Sequence, residues 1–145
     1  MPLSLSVVTA ERTILQRDDV QRLIVPTTEG QITVLPMHVA LMSSLDYGEL
    51  TAVCGNETIS MAVFGGFIQV AHDQVTILAD SAERAENIDE ERAEAARRRA
   101  EQRMAGQAVD PGEVINVLRA RLALSRATIR LRVRRRRATG APAMR

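Results

Sequence analysis

Asp89, Arg92, Arg99 and Arg103 fall within about 80° of one another on an ideal helix, and Arg126 and Arg130 lie one helical turn apart further along the chain. Guanidinium groups at such spacings can converge on one multiply charged anion, because each planar fork matches phosphate oxygens two at a time. An acid such as Asp89 can orient a ribose or the exocyclic amine of a base. Ordinary surface ion pairing produces the same spacing, and an acid in a helix's first turn simply favours the dipole. Spacing therefore leaves nucleotide binding and surface pairing both open.

Other chemistry is narrowed by what the chain lacks. Lysine is absent, which excludes a phosphate-loop lysine, a Schiff base and a Ser-Lys dyad. His38, Ser43, Ser44 and Asp46 include the residue types of a nucleophilic triad. No strand-turn-helix frame aims them, however, and a triad is defined by geometry. Two histidines and one cysteine offer no zinc-ligand spacing.

The arginines are unevenly placed. Residues 1–83 hold three Arg against ten acids, a net of −7, and residues 84–145 hold sixteen Arg against eight acids, a net of +8. The run Arg130-Leu131-Arg132-Val133-Arg134-Arg135-Arg136-Arg137 suits a polyanion, so a nucleic-acid-binding module is the competing reading. Without interleaved aromatics, single-strand recognition has little support.

Two kinds of element must position these groups. Leu3-Ser4-Leu5-Ser6-Val7 alternates with period two, and short β-rich runs follow at Thr13–Leu15, Val20–Val25, Gln31–Leu35, Glu49–Cys54, Thr58–Val63, Phe67–Ala71 and Val75–Leu78. Turns are expected at Thr28-Glu29-Gly30, Pro36-Met37-His38, Tyr47-Gly48, Gly55-Asn56, Gly65-Gly66 and His72-Asp73, with a bulge or tight bend as the better account of the glycine pair. An antiparallel β-sandwich or barrel follows. From Asn87 the period changes. Asn87 and Glu90 read as a capping box, Ala93, Ala96, Ala100 and Met104 as one narrow stripe, and Gly106 as the stop. Asp110-Pro111-Gly112-Glu113 repeats the start signal after a short connection, Gln107–Val109, with Val114, Leu118, Leu122 and Ile129 as the second apolar face. The expected architecture is an N-terminal antiparallel β-sandwich (1–84), a C-terminal antiparallel two-helix hairpin (85–137) and a disordered tail (138–145).

A lone Cys54 excludes an internal disulfide and fits a reducing compartment. No run of about 18 apolar residues is present, and the N-terminus lacks the basic region of a signal peptide.

The segment Glu29-Gly30-Gln31-Ile32-Thr33-Val34-Leu35-Pro36 with His38, the strand Gly65-Gly66-Phe67-Ile68-Gln69-Val70, and Val75-Thr76-Ile77-Leu78-Ala79-Asp80 with Ala82-Glu83 resemble the epsilon subunit of rotary F-type ATP synthases. Met37 and Ala40 stand where that family usually has Gly and Pro. Ile88-Asp89-Glu90-Glu91-Arg92-Ala93 matches the family's ATP pattern, [IL]-D-x-x-R-A. The resemblance implies an ATP site of Glu83, Ile88, Asp89, Arg92, Ala93, Arg99, Arg126 and Arg130. It further implies partner contacts at Glu29, His38, Arg119, Arg121 and Arg134. ATP would be regulatory, no cofactor is required, and a role for magnesium stays open. The implied role is a noncatalytic rotor subunit at the cytoplasmic face of a bacterial plasma membrane. Its sandwich would join the gamma subunit and the c-ring. Its hairpin would fold down or extend toward the alpha and beta subunits to oppose ATP hydrolysis. No nucleic-acid partner is expected on this reading.

Overall fold

The structure is a computed structural model and describes residues 1–139. Its strands are β1 (Leu3–Val8), β2 (Thr13–Val20), β3 (Arg22–Thr27), β4 (Gly30–Val34), β5 (Leu41–Cys54), β6 (Glu57–Ala71), β7 (Gln74–Ala79) and β8 (Ala82–Arg84). A single 3-10 turn, Ala85–Asn87, leads to the helices α1 (Glu90–Met104) and α2 (Val117–Thr139).

The strands run β2-β1-β7-β6-β5-β3-β4, with β8 pairing β6. All neighbours are antiparallel except β1 and β7, which are parallel. The long strands β5 and β6 are shared between the two leaves of a sandwich. Residues 66–71 of β6 pair with β7, while residues 61–63 pair with β8. Period-two burial fills the space between the leaves: Leu3, Leu5 and Val7 point inward beside Leu23, Leu50, Ile59, Met61, Ile68 and Ile77. The expected strand-then-helix architecture is therefore the observed one.

Two expected turns lie inside strands. Tyr47-Gly48 is within β5 and Gly65-Gly66 within β6. Gly65 (φ 83°) and Gly66 (φ 118°) let β6 continue while it passes from β8 to β7. Gly48 answers a close approach instead, since a Cβ there would meet Pro26 Cβ at 2.8 Å. The run expected over Val20–Val25 splits at Gln21, whose N–H donates to Val53 O at 2.8 Å. Gly55-Asn56 and His72-Asp73 do form two-residue hairpin turns. Met37 adopts φ 67°, and its N–H donates to Asp73 Oδ1 at 2.6 Å. A residue with a Cβ thus holds a left-handed position with the help of an external acceptor.

Both helix starts move. Asn87 belongs to the 3-10 turn, and Ile88 stays extended (φ −82°, ψ 124°) with its side chain buried against the sandwich. The cap falls to Asp89, whose Oδ1 accepts from Arg92 N–H at 3.1 Å. Asp110-Pro111-Gly112-Glu113 does not open α2. Gly112 turns to φ 73°, and Glu113 is drawn away to Arg103 and to Val109 N–H. Asn116 serves instead, its Oδ1 accepting from Arg119 N–H at 3.1 Å. The expected apolar face is also corrected: Val114, Leu118 and Leu122 are exposed, and α2 buries Ala120, Ala127, Ile129, Leu131 and Val133. On α1, Ala93 and Ala100 are buried, whereas Met104 is exposed. At the far end α2 runs through the arginines to Thr139, past the expected boundary at 137. Arginine is a good helix former and its cation suits a helix C-terminus. The rest of the expected tail, 140–145, lies outside the described residues.

Candidate functional site

The hairpin lies on the sandwich through a small apolar seat. Ala62, Phe64 and Ala85 meet Ile88, Ile129 and Val133, and Tyr47 packs at the edge. Glu49, Ala62 and Glu83 lie opposite one another across β5, β6 and β8, so this row presents a carboxylate on either side of Ala62. Arg130 of α2 takes one of them: its Nε and Nη2 reach Glu83 Oε1 at 2.9 and 2.8 Å. Arg136 takes the other, Glu49 Oε1. Arg135 ties α2 to α1 through Glu90 at 2.9 Å and Glu94 at 3.0 Å.

Where the hairpin, the 3-10 turn and β8 meet, a cavity of about 450 Å³ is lined by Glu83, Asn87, Ile88, Asp89, Arg92, Ala93, Ala96, Arg99 and Arg130. Seven of the eight expected ATP-site residues line it. The exception is Arg126, which lines a second cavity of about 430 Å³ at the hairpin tip with Arg103, Asp110, Glu113 and Arg119. The side chain of Ile88 is spent largely in the apolar seat. Asn87 and Ala96 line the cavity without having been expected there. The helix-capping reading of Asn87 concealed its role, and Ala96 carries no chemical signal beyond being small.

Charge in this cavity is positive and partly uncommitted. Arg130 is paired with Glu83, and the Asp89 carboxylate accepts the α1 backbone N–H. Arg92 and Arg99 have no carboxylate partner among the described residues. Elsewhere in the hairpin Arg97, Arg98, Arg103, Arg135 and Arg136 have one, while Arg119, Arg121, Arg126 and Arg134 have none among the described residues. Arg92 and Arg99 are the unpaired ones that line this cavity. Arg92 in the first turn of α1, near its positive end, and Arg99 about two turns further along the same cavity can together hold an anion of several charges.

The partner positions are dispersed. Glu29 is exposed in the β3–β4 turn, and His38 lies in the next loop with Nδ1 2.7 Å from Val39 O. Arg119 and Arg121 are exposed near the start of α2, and Arg134 is half-buried near its end. Three arginines of the basic run, Arg130, Arg135 and Arg136, are engaged by carboxylates of this chain, which reduces the charge the described part of the run offers a nucleic acid.

Glu49 gives docking a pH dependence. Burial raises its carboxyl above the ordinary 4.5, against the opposing pull of Arg136 and Arg132. Its Oε2 is buried with no hydrogen-bond partner among the described groups, so ionisation leaves an acceptor unmet. A group raised in the docked form stabilises docking below its ordinary value and loses that contribution as pH rises through the docked value. Glu94 and Glu113 are shifted the opposite way by Arg97 and Arg103, but those pairs lie within the hairpin and do not bear on its docking to the sandwich. Tyr47 is the single tyrosine in a chain without tryptophan, and its emission reports the seat. Acidification from neutrality toward the ordinary carboxylate range should strengthen docking in the wild-type chain, and Glu49→Gln should flatten the response. An equal response in both would exclude Glu49 as its source.

Among the described residues no helix is long and apolar enough to cross a membrane. Family models match most of the chain: the beta-sandwich domain of the ATP synthase delta/epsilon chain over residues 2–85, and its long alpha-helix domain over residues 86–134. An ATP synthase epsilon chain from Herpetosiphon aurantiacus is 45% identical over 133 residues, covering 92% of this chain and 94% of the relative. One from Chloroflexus aggregans is 52% identical over 97 residues, 67% of this chain and 69% of the relative. A chain in the cryo-EM structure of Euglena gracilis mitochondrial ATP synthase, comprising OSCP, F1 and c-ring, superposes with a TM-score of 0.71. It has 25% identity and covers 86% of this chain and 76% of that one.

Proposed function

This chain belongs to the delta/epsilon family of ATP synthase subunits as an epsilon subunit of the F-type enzyme, and from that premise we propose that it is a noncatalytic brake carried on the rotor. Its sandwich joins the gamma subunit and the c-ring at the cytoplasmic face of the membrane. Met42, Phe67 and Leu78 support this, as exposed apolar side chains on one face of β5, β6 and β7. Leu35, Met37 and Val39 expose a further apolar loop beside His38. The hairpin is the mobile part. Released from its seat, α2 carries its arginines toward acidic surfaces of the alpha and beta subunits and opposes hydrolysis.

ATP is the ligand that the cavity suits best, and the unpaired Arg92 and Arg99 beside the capping Asp89 carry this reading. A bound triphosphate joins groups from the 3-10 turn, α1 and α2, so it favours the folded hairpin to the extent that it binds that form more tightly. Arg126 lies one turn from Arg130, and a triphosphate reaching along α2 would draw it in.

Calorimetry on the isolated chain tests the site. ATP should bind saturably, and Arg92→Ala should weaken binding by roughly tenfold or more, the worth of a charge-assisted contact. Absence of saturable heat at millimolar ATP sinks the nucleotide reading. An assembled complex whose subunit ends at Gly106 should hydrolyse ATP faster, and unchanged turnover sinks the brake.

A further inference from the structure

Arg130 is held by the sandwich from two directions. Glu83 Oε1 accepts from both Nε and Nη2, at 2.9 and 2.8 Å. Two donors on one oxygen fix the direction in which the guanidinium points, but they leave its plane free to tilt about that oxygen. The Phe64 ring lies beneath, with the guanidinium carbon 4.8 Å from its centroid. A cation over an aromatic face prefers to lie against it, which removes the remaining tilt. Phe64 cannot easily turn away. It is 3% exposed, and Tyr47 meets it edge-on at 5.6 Å with an interplanar angle of 83°. No described group accepts from Nη1, and Arg130 lines the cavity between the sandwich and the hairpin.

We propose that Phe64 is a positioning residue for the anion site, holding the plane of Arg130 so that its unused Nη1 edge is presented to a polyphosphate. The inference rests on the nucleotide reading of that cavity. A free arginine side chain surrenders much rotamer freedom when it is fixed, and here much of that ordering precedes the ligand. The arrangement also gives the ligand a reason to prefer the folded hairpin. Phe64 and Glu83 belong to the sandwich and Arg130 to α2, so the preset donor exists only while the two are together. Ligand affinity and hairpin position are then linked through one side chain.

The test combines a binding cycle with a measurement on the unliganded protein. Phe64→Leu keeps an apolar side chain in the seat and removes the π face. ATP affinity of the full chain should fall about three- to tenfold, the range of a partly desolvated cation–π contact. Arg130→Lys should cost clearly less in the Phe64→Leu background than in the wild type. Additive losses, or unchanged affinity of Phe64→Leu, overturn the proposal. Amide exchange across residues 129–136 of unliganded Phe64→Leu must remain protected. Loss of that protection assigns Phe64 to docking alone, and overturns the positioning role.

Nuclear magnetic resonance of the wild-type chain without ligand gives the independent reading. The Nη groups of Arg130 should rotate slowly and give separate signals under conditions that average those of exposed arginines such as Arg119 and Arg121. Averaged Arg130 signals would falsify the positioning. Should the wild type bind no ATP, the nucleotide reading fails, while the Arg130 signals compared between wild type and Phe64→Leu still decide whether Phe64, beyond the Glu83 hydrogen bonds, fixes the guanidinium.

Discussion

Gly66→Ala should remove a large part of the sandwich's stability and lower its melting temperature by roughly 15–30 °C. Gly66 sits at φ 118°, and a Cβ there would meet Leu78 O at 2.1 Å and Ala79 Cα at 2.8 Å. Both obstacles are backbone of the neighbouring strand, so relief requires β6 and β7 to separate where they begin to pair, at Gly66 and Ala79. The combined conformational and steric cost is on the order of 3–5 kcal/mol. That is a large part of the roughly 5–15 kcal/mol that holds a typical domain folded. Neighbouring glycines provide the scale. At Gly65 the closest obstacle is the Asp80 carboxylate, 2.8 Å from the added Cβ, which can swing aside. At Gly55 nothing lies within 4 Å and only φ 65° is unfavourable, a cost of about 1 kcal/mol. Thermal melts should rank the three alanine variants Gly66, Gly65, Gly55, with the first lowered by roughly 15–30 °C. A Gly66→Ala melt within a few degrees of the wild type would show that β6 can bend by another route.

Removing both Ile129 and Val133 side chains, as Ile129→Ala with Val133→Ala, should lift the hairpin while leaving the sandwich folded. The two residues are 6% and 0% exposed and fill the seat against Ala62, Phe64 and Ile88. Truncating them removes about 4 kcal/mol of buried contact in total, and alanine leaves helix propensity intact or improved. The remaining attachments, Glu83–Arg130 and Glu49–Arg136, each neutralise a charge that burial would otherwise penalise, and contribute less once water enters. In the isolated chain, amide exchange along α2 should rise by about a hundredfold or more. Tyr47 emission should shift toward that of an exposed tyrosine, and the sandwich strands should keep their protection. In the assembled enzyme the freed hairpin should slow hydrolysis. Protection retained along α2 would mean that the ion pairs alone hold the hairpin. Joint loss of protection in helices and sandwich would mean that they fold as one unit.

Local pattern carries far in this chain where a residue's role depends on its immediate neighbours. Alternation in β1 places Leu3, Leu5 and Val7 on one face whatever packs on them, because the pleat has period two. Gly55-Asn56 makes its turn because positive φ is a property of the turn itself. The pattern misleads where several local solutions are equally good. Asn87 and Asp89 are both sound helix caps, and burial of Ile88 selects the second. Asp110-Pro111-Gly112-Glu113 is a sound start signal, yet Arg103 reaches across the hairpin for Glu113, and Asn116 opens the helix instead. Gly48 resembles a turn residue in sequence, but its lack of a side chain accommodates Pro26.

The division into an acidic strand-rich part and a basic helical part is legible in the residue order, which also puts arginines where helical periodicity can gather them. Those properties follow from backbone periods and formal charge, which each segment carries alone. Which arginines remain available depends on how the elements pack. Arg135 and Arg136 find carboxylates on other elements, Arg126 turns to the cavity at the tip, and Arg92 and Arg99 are left without one. The same packing places Phe64 beneath Arg130. Pairing and stacking across elements depend on distances between segments far apart in the chain, and these exist only once α2 settles on the sandwich.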